Sequence, residues 1–317
     1  MRILSLFDWM ACWYEALKKA WISIDAYYAS EIDKYAIQIA TKNHPDIIEI
    51  WDVCKIKWED YQDIDLLIWG SPCQWFSMAG KMLNFEDPRS KLFFEYVRVL
   101  KEVKPKYFLL ENVKMKKEWQ DVISRELWVE PIEINSSLVS AQNRKRLYRT
   151  NIPGVSQPKD KWIMLKDILQ ENVEERYYLT EKQYQMIDNW KWFEKPLERI
   201  KWPNDKMDTI ITHVAKMSNG IKLVQVPCAT QIGNSKNFGN AYGNDKAYTL
   251  RASCPNGVIE DIGIVRKLTP IECERLQTLP DNYTEWVSDS QRYKMLGNWW
   301  TVDVIAHIFS FIPKQNG

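Results

Sequence analysis

The side chain with the most suggestive setting is the thiol of Cys73, in Ser71-Pro72-Cys73-Gln74. It directly follows the apolar run 65–68, which reads as a buried parallel strand. A thiol just past the carboxyl end of such a strand lies on the rim where open α/β sheets bind ligands. Pro72 fixes φ and stiffens the loop that carries it. Free cysteines are also common as small buried hydrophobes, so the company Cys73 keeps must decide. Glu111, in Glu111-Asn112-Val113, closes a second apolar run at 107–110 and would face the same cleft. A cysteine can add to an electron-poor ring carbon, and a neighbouring carboxyl can hold the ring's nitrogen side and share its proton. Gln142, Arg144 and Arg146 alternate with Asn143 and Lys145, so they share one face of an extended strand. That face is either a soluble sheet edge or a guanidinium fork for a phosphate or a carbonyl oxygen.

Three acids stand at three successive predicted strand ends: Asp8, Glu31 and Asp52. In nucleotide-binding sheets an acid about 20 residues past the first turn takes ribose hydroxyls. Glu31 is at that distance from Asp8, and Asp52 could accept from an adenine amino group. Each acid alone reads equally as a helix cap or a surface charge.

The elements needed to hold these groups are visible in the chain. Strands are predicted over 2–8, 22–30, 47–50, 65–69 and 107–110, and helices over 14–20, 34–42, 90–103 and 302–312. Such alternation implies a doubly wound, mostly parallel α/β sheet with right-handed crossovers. After 151 the pattern decays into Asn-, Gly- and Ser-rich sequence with short β-like runs at 221–226 and 248–251. We therefore expect a catalytic unit of 1–151 plus 286–317 and a smaller, irregular, β-rich unit over 152–285. Basic residues at 216, 222, 236, 246 and 251 against the single acid Asp245 make part of that unit a solvated face or a phosphate-contacting one. The formal net charge of the 317 residues is only +1, so a nucleic-acid site would be a local patch. The six cysteines form no Cys-x-x-Cys pair or metal-ligand spacing, which points to a reduced, cytoplasmic protein without a metal. No apolar run approaches the ~20 residues of a membrane span.

Taken in order, Phe7-Asp8, Glu31, Asp52, Pro72-Cys73-Gln74, Glu111-Asn112-Val113, Gln142-x-Arg144-x-Arg146, Arg266-x-Leu268-Thr269-Pro270 with Glu272 and Gln277, and Gly297-Asn298 closely resemble the C5-cytosine DNA methyltransferase family. The wording of the amino terminus is similar to the animal de novo branch and to phage and bacterial enzymes. The resemblance implies a Rossmann-like methyltransferase sheet, S-adenosylmethionine as methyl donor and, as substrate, a cytosine flipped out of double-stranded DNA. By motif, Cys73 would attack C6, Glu111 would bind N3 and the exocyclic amine, and Arg144 and Arg146 would position the base. Gln74, Asn112 and Gln142 would contact the substrate. Phe7, Asp8, Trp9, Cys12, Glu31, Ile32, Asp52, Val53, Gly70, Pro72, Asn298 and Trp299 would line the cofactor pocket. Residues 152–265 would recognise the target, and 266–282 would pack that part against the catalytic one. A cognate restriction endonuclease is a possible partner. Alternatives are a tRNA cytosine-5 methyltransferase and a catalytically silent DNA-binding relative.

The departures from the family share one form. The chain has 16 Trp and 11 Gly, where usual glycine usage would give about 22. Trp9, Trp13, Trp51, Trp69 and Trp75 stand at family glycine positions, and Trp299 where a small residue is expected. Trp21 and Trp128 both read as sitting just past a helix and before a strand, where a positive φ favours glycine. The pattern predicts UGA codons that the source organism reads as glycine. It also predicts that the polypeptide as written binds the cofactor poorly.

Overall fold

A computed structural model describes residues 1–70, 88–178, 200–201, 205–208, 223–226 and 264–314. Pro72, Cys73, Gln74, Trp75, the run 248–251 and all five basic positions of the 209–251 region lie outside these residues.

Five parallel strands form the centre: β1 (Arg2–Leu6), β2 (Ala26–Ser30), β3 (Ile48–Glu49), β4 (Leu66–Gly70) and β5 (Tyr107–Asn112). Every residue of β4 and β5 is buried, as expected for strands covered on both faces. Two further strands, β6 (Ile132–Asn135) and β8 (Lys145–Thr150), complete a seven-stranded sheet in the order β3-β2-β1-β4-β5-β8-β6. β8 runs antiparallel to both its neighbours. The order reverses between β1 and β4, which makes the crevice over their carboxyl ends the place where such a sheet binds a ligand.

Helices cover both faces. On one, α1 (Cys12–Lys19) and α2 (Lys34–Asn43) share a buried apolar core with three carboxyl-terminal helices. These are α5 (Pro270–Leu276), α6 (Asp289–Asn298) and α7 (Val302–Phe309). On the other, α3 (Pro88–Val103) and α4 (Lys117–Leu127) pack Phe93, Tyr96, Ile123 and Leu127 against Leu4, Leu67, Trp69 and Phe108. α5 starts with a capping box in which Thr269 and Glu272 bond reciprocally, with Pro270 in the first turn. Glu272 also takes both arms of the buried Arg266 guanidinium, at 2.7 and 2.5 Å, so each buried charge faces its opposite. The other described strands are short. β10 (Met207–Asp208) runs parallel to β7 (Gln142–Asn143), and β11 (Leu223–Val226) lies between β9 (Ile200–Lys201) and β12 (Ile264–Lys267).

Two predicted strand boundaries are corrected. The first strand stops at Leu6, because Phe7 has φ of +58° and opens a turn. The second starts at Ala26 rather than at 22, because α1 closes in a Schellman arrangement. Ile22 N–H donates to Leu17 O (3.1 Å) and Trp21 N–H to Lys18 O (3.0 Å).

Candidate active site

The crevice begins where β1 ends. Phe7, Trp9 and Ala11 all have positive φ, at 58, 53 and 56°. Asp8 between them is completely buried, and its Oδ1 accepts from the Tyr27 hydroxyl at 2.5 Å. Burial pushes its carboxyl up to about 7, against the hydrogen bond from Tyr27 that pulls the other way. Glu31, at the end of β2, clamps the turn. Its oxygens accept from the backbone N–H groups of Trp9 (2.9 Å), Ile32 (2.7 Å) and Asp33 (2.8 Å). Asp52 caps a short 3₁₀ turn through Cys54 N–H (3.0 Å). Ile32 is 75% exposed beside Glu31, whereas Val53 is buried. The thiol of Cys12 is buried at the start of α1, and burial pushes its pKa up, which leaves it unreactive.

Sequence reasoning missed two side chains here. Both carboxylate oxygens of Glu49 are buried without a hydrogen-bond partner among the described residues, and burial, then Asp8 and Glu31, raise its pKa to about 8. As a charged residue on a two-residue edge strand it gave no signal. Trp300 was hidden in the Trp299-Trp300 doublet. Its ring lies against Gly70, where any added Cβ would collide with it.

Five tryptophans take a backbone conformation that glycine adopts freely. Trp9, Trp21, Trp51, Trp128 and Trp162 all have φ between 53 and 62°. A left-handed backbone costs a residue with a Cβ ~1–2 kcal/mol. Trp21 and Trp128 are 88% and 90% exposed, so their indoles gain almost nothing in return. Trp21→Gly and Trp128→Gly should therefore each stabilise the protein by about 1 kcal/mol in urea melts. Loss of stability in either would show that the indole, not the backbone, governs the site. Trp13, Trp299 and Trp300 instead form a buried cluster over the crevice, with ring centroids 4.1 Å (Trp13–Trp300) and 3.8 Å (Trp299–Trp300) apart.

The second half of the site lies one strand over. Gly70 of β4 pairs in register with Glu111 of β5. Glu111 is 1% exposed, and Arg146 Nε approaches its Oε1 to 3.1 Å. That contact is an ion pair without hydrogen-bond alignment, and both carboxylate oxygens lack a hydrogen-bond donor among the described residues. Burial raises the Glu111 pKa, and Arg146 and then Arg144 oppose the rise. The buried amides of Asn112 and Gln142 are also without partners among the described residues. An unsatisfied buried polar group costs ~1–3 kcal/mol, so a cluster of them marks a place built for a ligand. The alternation read at 142–146 holds: Gln142 and Arg144 are buried and Arg146 partly so, while Asn143 and Lys145 are exposed. Arg144 Nη2 reaches the carbonyl of Gly297 (3.5 Å), which ties this strand to the end of α6, where Asn298 and Trp299 follow.

The family model for C-5 cytosine-specific DNA methylases matches residues 1–122 and 136–314. The chain belongs to this family. It is by class a DNA cytosine-5 methyltransferase, and curated relatives of the family span nearly all of it. The Type II methyltransferase M1.ScrFI of Lactococcus lactis subsp. cremoris is 33% identical over 304 residues, covering 87% of this chain and 68% of the relative. The Type II methyltransferase M.NlaX of Neisseria lactamica is 30% identical, covering 97% and 94%. The Orphan methyltransferase M.SPRI of Bacillus phage SPR is 25% identical, covering 100% and 99%. Two solved methyltransferases share the fold. S. pombe Dnmt2 aligns with a TM-score of 0.68 at 20% identity, covering 98% of each chain. Entamoeba histolytica EhMeth gives 0.74 at 17% identity, covering 98% of this chain and 97% of its own. No helix among the described residues is long and apolar enough to cross a membrane.

Members of this C5-methylase family use S-adenosylmethionine, and the present residues fit that group only in part. The carboxyls of Asp8, Glu31 and Glu49 and the exposed Ile32 suit a cationic nucleoside. The Trp300 ring occupies the space over Gly70, and Trp13 and Trp299 pack against that ring.

Proposed function

We propose that the gene encodes a DNA cytosine-5 methyltransferase acting on a flipped-out cytosine through a covalent Cys73 adduct, and that the suspect tryptophans are glycines in the source organism. The observation that carries the reading is Glu111: a fully buried carboxyl, raised in pKa, ion-paired to Arg146 but without a hydrogen-bond donor among the described residues, and set opposite the last described residue before Cys73. Cys73 lies three residues beyond Gly70 in the sequence.

In this reading a neutral Glu111 carboxyl matches the cytosine edge. Its O–H donates to N3 and its carbonyl oxygen accepts from the exocyclic amine. Arg144 and Arg146 hold the base oxygen and keep Glu111 oriented, and Gln74, Asn112 and Gln142 complete the base contacts. The Cys73 thiolate forms a bond to C6 as Glu111 shares its proton with N3, which makes C5 nucleophilic. Loss of the C5 proton at the end of the reaction breaks the S–C6 bond and frees the thiol. With glycine at 9, 13, 51, 69, 75 and 299, the turn at 7–12 together with Glu31, Ile32, Asp52, Val53, Gly70, Pro72, Asn298 and residue 299 would hold S-adenosylmethionine, which supplies the methyl group. Residues 152–285 would read the DNA target, from a cytoplasmic enzyme that is either solitary or paired with an endonuclease.

The test is to incubate the glycine form with plasmid DNA or with tRNA and map 5-methylcytosine in each. Methylation of the plasmid at one recurring sequence is expected. Methylation of tRNA alone, or of neither, would overturn the reading. UGG codons at 9, 13, 75 and 299 in the gene would remove the glycine assignment.

A further inference from the structure

Three left-handed residues in five make the 7–11 turn a conformation that neighbouring groups must hold. Tyr27 and Glu31 hold its first half, through Asp8 and through Trp9 N–H. The second half is held from the opposite end of the chain. Tyr283, 3% exposed, donates its hydroxyl proton to the carbonyl of Met10 at 2.7 Å. The Tyr283 hydroxyl oxygen lies 3.2 Å from Nε2 of His44, which is itself 3.3 Å from Oε1 of Glu15. Tyr283 has one proton, and Met10 takes it, so His44 must be the donor towards the phenol oxygen. That fixes His44 as the neutral tautomer with its proton on Nε2. Burial keeps the ring uncharged by pushing its pKa down to about 4. Tyr14 stacks on the imidazole at 4.2 Å and 21°, and Asn43 Nδ2 donates to the main-chain oxygen of Tyr283 at 2.9 Å.

We infer that Tyr283 is a positioning residue for the cofactor turn and that His44 sets the direction of its hydroxyl. The two act on the carbonyl of Met10 and thereby on the aim of the N–H groups around it. This role rests on the reading that the turn holds S-adenosylmethionine, but its first readout does not need the cofactor.

The experiment uses the full-length glycine form and its Tyr283→Phe, His44→Leu and His44→Gln variants. Phenylalanine keeps the ring and removes only the donor. Gln places an N–H where Nε2 stood, and Leu does not. In cofactor-free protein, amide hydrogen exchange in a peptide covering 7–14 is expected to quicken at least tenfold in Tyr283→Phe and His44→Leu. Peptides from β8 should be unchanged, and His44→Gln should restore slow exchange. In turnover, KM for S-adenosylmethionine should rise about tenfold in the first two variants. Their kcat at saturation and KM for DNA should stay within twofold of the parent. Unchanged exchange in the turn, or an equal fall in kcat with KM intact, would overturn the inference. A parent that exchanges as expected but binds no S-adenosylmethionine would instead refute the reading of the turn while leaving the bracing role of Tyr283 supported.

Discussion

Replacing Trp9, Trp13, Trp51, Trp69, Trp75 and Trp299 together by glycine is expected to bring S-adenosylmethionine binding from undetectable at millimolar ligand to micromolar. That is a gain of at least about 4 kcal/mol. The reason is volume before chemistry. Trp13, Trp69 and Trp299 are each 0% exposed, so their indoles occupy interior space rather than lying on the surface. Trp13 and Trp299 press on Trp300 at centroid distances of 4.1 and 3.8 Å. Aromatic pairs prefer about 4.5–7 Å, so the cluster is compressed where the sheet's topology puts its ligand. Removing both indoles leaves Trp300 alone against Gly70 and opens the crevice above β1 and β4. Trp9 and Trp51 contribute differently, through φ of 53 and 62°, which glycine adopts at no cost. Isothermal calorimetry on both forms decides the matter. Equal affinity in the two would mean that the tryptophans belong to a working pocket or that the crevice is not one.

Parts of this architecture were legible because they rest on short-range rules. The parallel strands at 66–70 and 107–112 announced themselves as apolar runs buried on both faces. α5 was not predicted as a helix, although its start carries a local signal, the cap formed by Thr269, Pro270 and Glu272. Trp21 and Trp128 were suspect from their place behind helices, and each sits at a left-handed φ. What stayed hidden depends on partners far along the chain. Nothing local marks Tyr283, whose hydroxyl meets a carbonyl 273 residues away. Glu31 read as a ligand acid, and what the sequence did not show is that its oxygens also accept from three backbone amides, a fact set by the path of the 7–11 turn. Glu49 became notable only when its oxygens proved to be buried beside Asp8 and Glu31.

In the glycine form, Cys73→Ala should abolish methyl transfer, a fall of at least ~10⁴-fold in kcat, because in this reading Cys73 is the group that adds to C6. DNA in which the target cytosine carries fluorine at C5 supplies the direct test. With no proton on C5 to lose, the S–C6 bond cannot be broken by elimination, so the parent should accumulate a covalent complex when S-adenosylmethionine is present. Cys73→Ala should form none, and a peptide map should place the adduct on Cys73. Glu111→Gln separates holding the base from sharing a proton. Glutamine offers the same donor and acceptor to the cytosine edge but has no acidic O–H. KM for DNA should therefore move little, while kcat falls by ~10²–10⁴. The pH profile carries the sign. Burial raises the Glu111 pKa, so the active, protonated carboxyl prevails below that value and is lost as pH climbs through it. The parent's rate should decline on the alkaline side, and that limb should vanish in Glu111→Gln. An adduct that still forms without Cys73, or a Glu111→Gln enzyme with full kcat, would mean that the buried carboxyl opposite Gly70 serves the fold and not the base.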